Sequence, residues 1–218
     1  MRLVAEGLGC RRGARHLFEQ LDFTVQSGGA LVVTGPNGTG KSSLLRLLAG
    51  LARVEAGRIR LEGAPDPDSF AEEVHYLGHL DAHKAALSAR ENLAFWRAML
   101  GQPALGVDAA LEEVGLGGLG ALPVAVLSAG QKRRLALARL LVARRPLWLL
   151  DEPTTALDAG AQARFAEIAR AHVAQGGLLV AATHAPLDIP AARLDLGAYR
   201  PRRPGAPDLA PHAVAEAQ

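Results

Sequence analysis

The octapeptide Gly35-Pro36-Asn37-Gly38-Thr39-Gly40-Lys41-Ser42 constrains this chain more than any other feature. It fits G-x-x-x-x-G-K-[ST] and stands between an apolar strand pattern over 31–34 and a helical pattern over 41–51. Strand, glycine-rich loop and helix in that order turn backbone N–H groups towards one point as an anion nest, and the helix dipole adds positive potential there. Lys41 adds a full charge suited to β and γ phosphates, and the Ser42 hydroxyl suits a hard divalent cation. The expected ligand is a nucleoside triphosphate with Mg²⁺, and residues 35–43, Ser43 included, are its expected binding segment. A glycine-rich turn that bound nothing would need neither the terminal Lys-Ser pair nor these flanking elements.

A second site signal is the run Leu147-Trp148-Leu149-Leu150-Asp151-Glu152, a buried-strand pattern that ends in two carboxylates. Beside a phosphate loop, Asp151 is expected to hold Mg²⁺ through water and Glu152 to polarise the attacking water. Neighbouring strand residues point opposite ways, but at the strand end the chain is leaving the sheet, so both can reach one site.

Apolar strands alternate with helices, as at 131–142 followed by 147–150, which predicts an α/β fold with a mostly parallel core sheet. The N-terminal segment and Arg58-Ile59-Arg60-Leu61-Glu62 read as extra strands, the latter alternating polar and apolar, and are expected to form an antiparallel side sheet. Strand signals vanish over 88–126. What remains is an amphipathic helix over 89–100, a Gly101-Gln102-Pro103 break, a helix over 107–114 and a glycine-rich turn, together an inserted helical subdomain. Residues 1–200 are expected to form one domain. Residues 201–218, with Pro201, Pro204, Pro207 and Pro211, are expected to be a mobile tail.

Lys plus Arg number 24 against 22 Asp plus Glu, so the chain has no basic excess of the kind a nucleic-acid binder carries, and no such partner is expected. A single cysteine, Cys10, permits no internal disulfide and fits a reducing compartment. The first residues read as strand and turn without a secretory leader. No apolar run approaches the ~20 residues of a spanning helix, so membrane association is expected through a partner.

Phosphate loop and acidic strand end together indicate a nucleotide hydrolase or kinase and no more. Leu127-Ser128-Ala129-Gly130-Gln131 narrows the class: Ser128 is a good N-cap for the helix that follows, whose positive end suits a γ-phosphate. Here the chain resembles the ABC ATPase family, whose signature L-S-G-G-Q it matches except at Ala129, and the likeness extends from the first strand to about residue 196. The resemblance implies a P-loop NTPase of the ABC type. It also implies two copies, with Ser128, Ala129, Gly130 and Gln131 of one closing over the ATP held by the other. Asp158 matches the family's D-loop, and His184, after the apolar strand 178–182, its switch histidine. The family's adenine-stacking aromatic is replaced by Arg12, whose guanidinium can also stack on a ring. At the Q-loop glutamine, which reaches Mg²⁺ and senses the membrane subunit, the register gives His79, with Leu80 next.

The runs Tyr76-Leu77-Gly78-His79, Ser128-Ala129-Gly130-Gln131-Lys132-Arg133-Arg134 and Thr183-His184-Ala185-Pro186-Leu187-Asp188 resemble the haem-exporter ATPases of bacterial cytochrome c biogenesis. That likeness implies a peripheral subunit at the cytoplasmic face of the inner membrane, bound to separate permease subunits. Two other readings remain at this point, an ABC ATPase serving another substrate and a soluble ABC ATPase outside transport. His75, His79 and His83 have helical spacing that invites a metal or haem site, but the strand-like Val74-His75-Tyr76-Leu77 and Gly78 speak against a helix there. Leu93, Trp96 and Leu100 are expected to be helical core.

Overall fold

Alternating apolar residues pair the first 26 positions into a hairpin. In the computed structural model of the chain, which describes residues 1–64 and 67–200, β1 (Arg2–Arg12) runs antiparallel to β2 (Arg15–Gln26) across a Gly13 turn. β3 (Ala30–Thr34), α1 (Lys41–Leu48), β4 (Ala56–Glu62) and β5 (Val74–Leu77) follow. Next come α2 (Ala89–Leu100), α3 (Val107–Glu113), α4 (Ala129–Val142), β6 (Leu147–Asp151), α5 (Ala159–Ala174), β7 (Leu178–Ala182) and β8 (Ala192–Asp195).

β4 joins the hairpin in a three-stranded antiparallel sheet of order β2-β1-β4, with Leu3 opposite Val25 on one side and Leu61 on the other. The other five strands form a parallel sheet of order β5-β6-β7-β3-β8. A parallel sheet is covered on both faces, which is why β7 throughout and β6 up to its terminal Asp151 are apolar, and why both strands are buried at every position. The pleat then divides their side chains between two cores. Leu147, Leu149, Leu178 and Val180 pack with Leu44, Leu45 and Leu48 of α1 and with Leu3, Leu8 and Phe18 of the antiparallel sheet. Trp148, Leu150, Leu179 and Ala181 face Leu135 of α4, Phe165 of α5, Leu93 of α2 and Leu111 of α3.

α1 stops at Leu48, three residues short of the expected 51, because Gly50 turns left-handed (φ 67°) just beyond the Ala49 cap. α2 begins at a capping box between Ser88 and Glu91. Leu93 is fully buried as expected, and Trp96 lies under the Arg139 guanidinium at 4.4 Å, but Phe95 and Met99 on the same helix are exposed. The three histidines at helical spacing share no face. His75 is on β5 with Nε2 3.1 Å from the Ala143 carbonyl, His83 bonds the Lys132 carbonyl, and His79 lies in the exposed segment after β5. Among the described residues there is no metal-ligating cluster of three and no helix long and apolar enough to cross a membrane. The proline-rich stretch 201–218 lies outside the described residues.

Candidate active site

β3 delivers the chain to the loop 35–40, and α1 takes it away. Gly35 (φ 132°) has no room for a side chain: a Cβ there would come within 3.2 Å of Thr39 Oγ1 and 3.3 Å of the Gly197 amide nitrogen. Gly40 (φ 107°) is the N-cap of α1, and a Cβ on it would press on Leu17 and Phe18 at 3.1–3.2 Å. Thr39, 1% exposed, locks the loop by donating its hydroxyl to the Pro36 carbonyl at 2.9 Å. With a glycine as N-cap, no side chain competes for the first N–H groups of α1, so the helix end is open to an anion.

Lys41 curls over this loop, Nζ donating to the Gly35 carbonyl at 2.7 Å and lying 3.0 Å from His184 Nε2. That ring nitrogen is also 2.9 Å from Asn37 Oδ1, while the His184 amide donates to Glu152 Oε2 at 3.4 Å. Glu152 reaches the cleft because its backbone is left-handed (φ 47°), with its N–H bonded to the Ala182 carbonyl at 2.8 Å. The strand-end turn expected from the sequence is therefore a single flipped residue. Asp151 beside it is 4% exposed.

These groups line one cleft of about 440 Å³ together with Arg12, Ser42, Ser43 and His79. Pro36 is an exposed member of the loop. The hydroxyls of Ser42 and Ser43 and the carboxylate of Asp151 are hard oxygen donors at the phosphate end, a set that fits Mg²⁺. Arg15 and Leu17 also line the cleft and were missed by the sequence reading. Arg15 is the Cα partner of Arg12 across the Gly13-Ala14 turn, so the Arg-Gly-Ala-Arg hairpin was the signal that could have found it.

The signature residues are elsewhere. Ser128 is the N-cap of α4, accepting from the Gln131 N–H, and Gln131 Oε1 accepts in return from the Ser128 N–H at 2.8 Å. Ser128 and Ala129 are exposed, and none of the four lines the cleft of its own chain. A Cβ on Gly130 would meet the Ala156 carbonyl at 2.8 Å, so the signature turn packs against the segment that follows Glu152. Asp158 caps α5, its carboxylate accepting from the Ala161 N–H at 2.8 Å.

The family model described as ABC transporter matches residues 18–155. The cytochrome c biogenesis ATP-binding export protein CcmA of Mesorhizobium japonicum is 55% identical over 198 residues, covering 90% of this chain and 98% of that protein. The protein so described from Nitrobacter winogradskyi is 54% identical over 197 residues, with 90% and 98% covered. Among solved structures, an ABC transporter ATP-binding protein from Pyrococcus furiosus superposes with a TM-score of 0.81 at 21% identity, covering 92% of this chain and 100% of that one. A dimeric post-hydrolysis state of an ATP-binding cassette bound to ADP and Pi superposes with a TM-score of 0.74 at 19% identity, covering 89% and 95%. At such identities the structural likeness concerns the fold.

Proposed function

The chain belongs to the ABC transporter family, and from that premise we propose that it is the ATP-hydrolysing subunit of an export complex that serves cytochrome c biogenesis, with haem as the cargo. The observation that carries the reading is one cleft that joins Lys41 of the phosphate loop to Asp151, Glu152 and His184, while Ser128 stands exposed away from it. Such a division suits two copies, each offering its signature helix to the ATP of the other. The relatives named as cytochrome c biogenesis export proteins support the choice of pathway.

In this mechanism Lys41 and the N–H groups at the start of α1 bind the β and γ phosphates. Ser42 and Asp151 would hold Mg²⁺, directly and through water, and the ion when bound offsets phosphate charge. Glu152 orients a water molecule and takes its proton as the water oxygen bonds to the γ-phosphorus. The bond from that phosphorus to the bridging oxygen breaks, and ADP and phosphate leave. The His184 amide steadies the Glu152 carboxylate, and its ring shares the Lys41 position beside Asn37. Arg12 offers a guanidinium face to the base.

The permease contact falls to the segment after β5. Leu80, next to His79, is 81% exposed, and Asn92 of α2 ties this segment down by bonding Lys84 N at 2.9 Å and Lys84 O at 3.0 Å. The exposed Phe95 ring lies under the Lys84 ammonium. An apolar surface next to a cleft residue suits a membrane subunit whose movement is tied to hydrolysis. The chain would thus sit as a peripheral subunit at the cytoplasmic face of a bacterial inner membrane. The test is twofold: ATP hydrolysis by the purified chain with co-purified membrane subunits, and the yield of mature c-type cytochromes after deletion of its gene. Intact cytochrome maturation in the deletion strain would refute the export role and leave the ATPase assignment standing.

A further inference from the structure

Arg133, in the first half of α4, is 5% exposed. A buried guanidinium is costly unless each N–H finds an acceptor, and here five hydrogen bonds meet that need. Nε donates to the Pro153 carbonyl at 3.1 Å, and Nη2 to the carbonyls of Asp151 at 2.8 Å and Glu152 at 2.7 Å. Nη1 donates to the Gly78 carbonyl at 3.2 Å and to Asp81 Oδ1 at 2.7 Å. One side chain thus holds three successive carbonyls at the exit of β6 and both flanks of His79.

Its grip includes the carbonyl of Glu152, the one cleft-lining residue other than glycine with a left-handed backbone (φ 47°), a conformation that residues with a side chain rarely adopt. The same helix carries the signature at its start, since Ser128 caps α4 five positions before Arg133. Close packing of Gly130 on the Ala156 carbonyl makes a second contact between that start and the chain beyond Glu152. A shift of α4 when its N-terminus engages a phosphate therefore has a short, hydrogen-bonded route to the Glu152 carboxylate.

Resting on the two-copy ATPase reading, we propose that Arg133 is a positioning residue that couples the two ATP sites, transmitting the state of the signature helix at one site to Glu152 and His79 at the other. The planar fork of arginine is essential to this, because an ammonium has three donors at a single point and cannot span the five acceptors that the guanidinium reaches on two separate loops.

The experiment compares wild type, Arg133→Lys and Arg133→Met in the complex with its permease, measuring Mg-ATP affinity, kcat and the Hill coefficient of hydrolysis. Wild type is expected to be cooperative. Arg133→Lys is expected to keep the affinity within about twofold, lose about tenfold or more in kcat, and fall to a Hill coefficient of about one, with Arg133→Met lower still in kcat. A wild-type coefficient of one, a Lys variant with unchanged kcat and cooperativity, or affinity and kcat falling in proportion would each overturn the proposal. So would a Lys variant without a cooperative thermal melt, which would make Arg133 a packing residue only. Absence of hydrolysis by the wild-type complex would instead overturn the ATPase reading itself.

Discussion

The Lys41 ammonium and the His184 ring meet at 3.0 Å, from opposite ends of the sequence, over the loop that the lysine closes by bonding the Gly35 carbonyl. His184 Nε2 cannot both accept from Lys41 and donate to Asn37 at 2.9 Å, so a phosphate that draws Lys41 away releases this nitrogen as a donor. Loss of the lysine removes the one full charge in the nest. Lys41→Ala is expected to weaken ATP binding by about tenfold to a hundredfold, the range of a charge-assisted hydrogen bond. Calorimetry with Mg-ATP measures it, and wild-type affinity would end the assignment.

Glu152→Gln keeps the shape and the hydrogen bond from the His184 amide but cannot take a proton from water. Turnover should drop by ~10²-fold or more while ATP still binds. Because hydrolysis is what separates the two copies in this mechanism, the variant should elute as an ATP-bound dimer in size-exclusion chromatography. A nucleotide-loaded monomer at saturating Mg-ATP would count against closure between two copies.

His79 lines the cleft and precedes the exposed Leu80, so under the proposed function it lies between the nucleotide and the permease contact. His79→Ala should leave ATP affinity within about twofold, since the loop 35–42 carries the binding, yet reduce permease stimulation of hydrolysis several-fold, to about a fifth. His79→Gln should recover it if a polar reach is all that is needed. Full stimulation in the alanine variant, with normal cytochrome maturation, would move the sensor role to Leu80 or its neighbours.

Burial holds the His75 imidazole neutral, its pKa pushed down to about 3 although the Ala143 carbonyl favours the charged ring and Arg139 and Arg145 oppose it. Burial shifts His83 and His172 downward too. A base with a depressed native pKa binds its proton first in the unfolded chain, where histidine titrates near ~6.5. The native state therefore loses nothing above that pH and is destabilised as pH falls through the window from ~6.5 towards about 3. The slope for one such histidine approaches about 1.4 kcal/mol per pH unit. Urea unfolding at several pH values measures it, and His75→Gln should flatten the dependence. An unchanged slope would show that His75 does not set it.

Local signals carried the cleft as far as they reached. The loop 35–42 and the two carboxylates at the end of β6 announce themselves by spacing, and Ser128 as an N-cap, because nest, strand end and cap are each made by neighbours in sequence. What escaped depends on distant backbone. In Lys132-Arg133-Arg134 nothing separates a buried arginine from Arg134, which bonds the Gly115 carbonyl at 2.9 Å, since the partners of Arg133 are carbonyls that every residue possesses. Phe95 and Met99 likewise carry a core-like pattern on a helix whose buried side ends at Leu93.

The order β5-β6-β7-β3-β8 has a consequence for synthesis at the ribosome. β3, which ends in the phosphate loop, pairs only with β7 and β8, and Ala30 meets Leu179, a partner made about 150 residues later. At roughly 5–20 residues per second, β3 waits about seven to thirty seconds before either neighbouring strand is made. Until then the cleft that His184 completes is unformed, so stabilisation by bound nucleotide is open only to the finished chain.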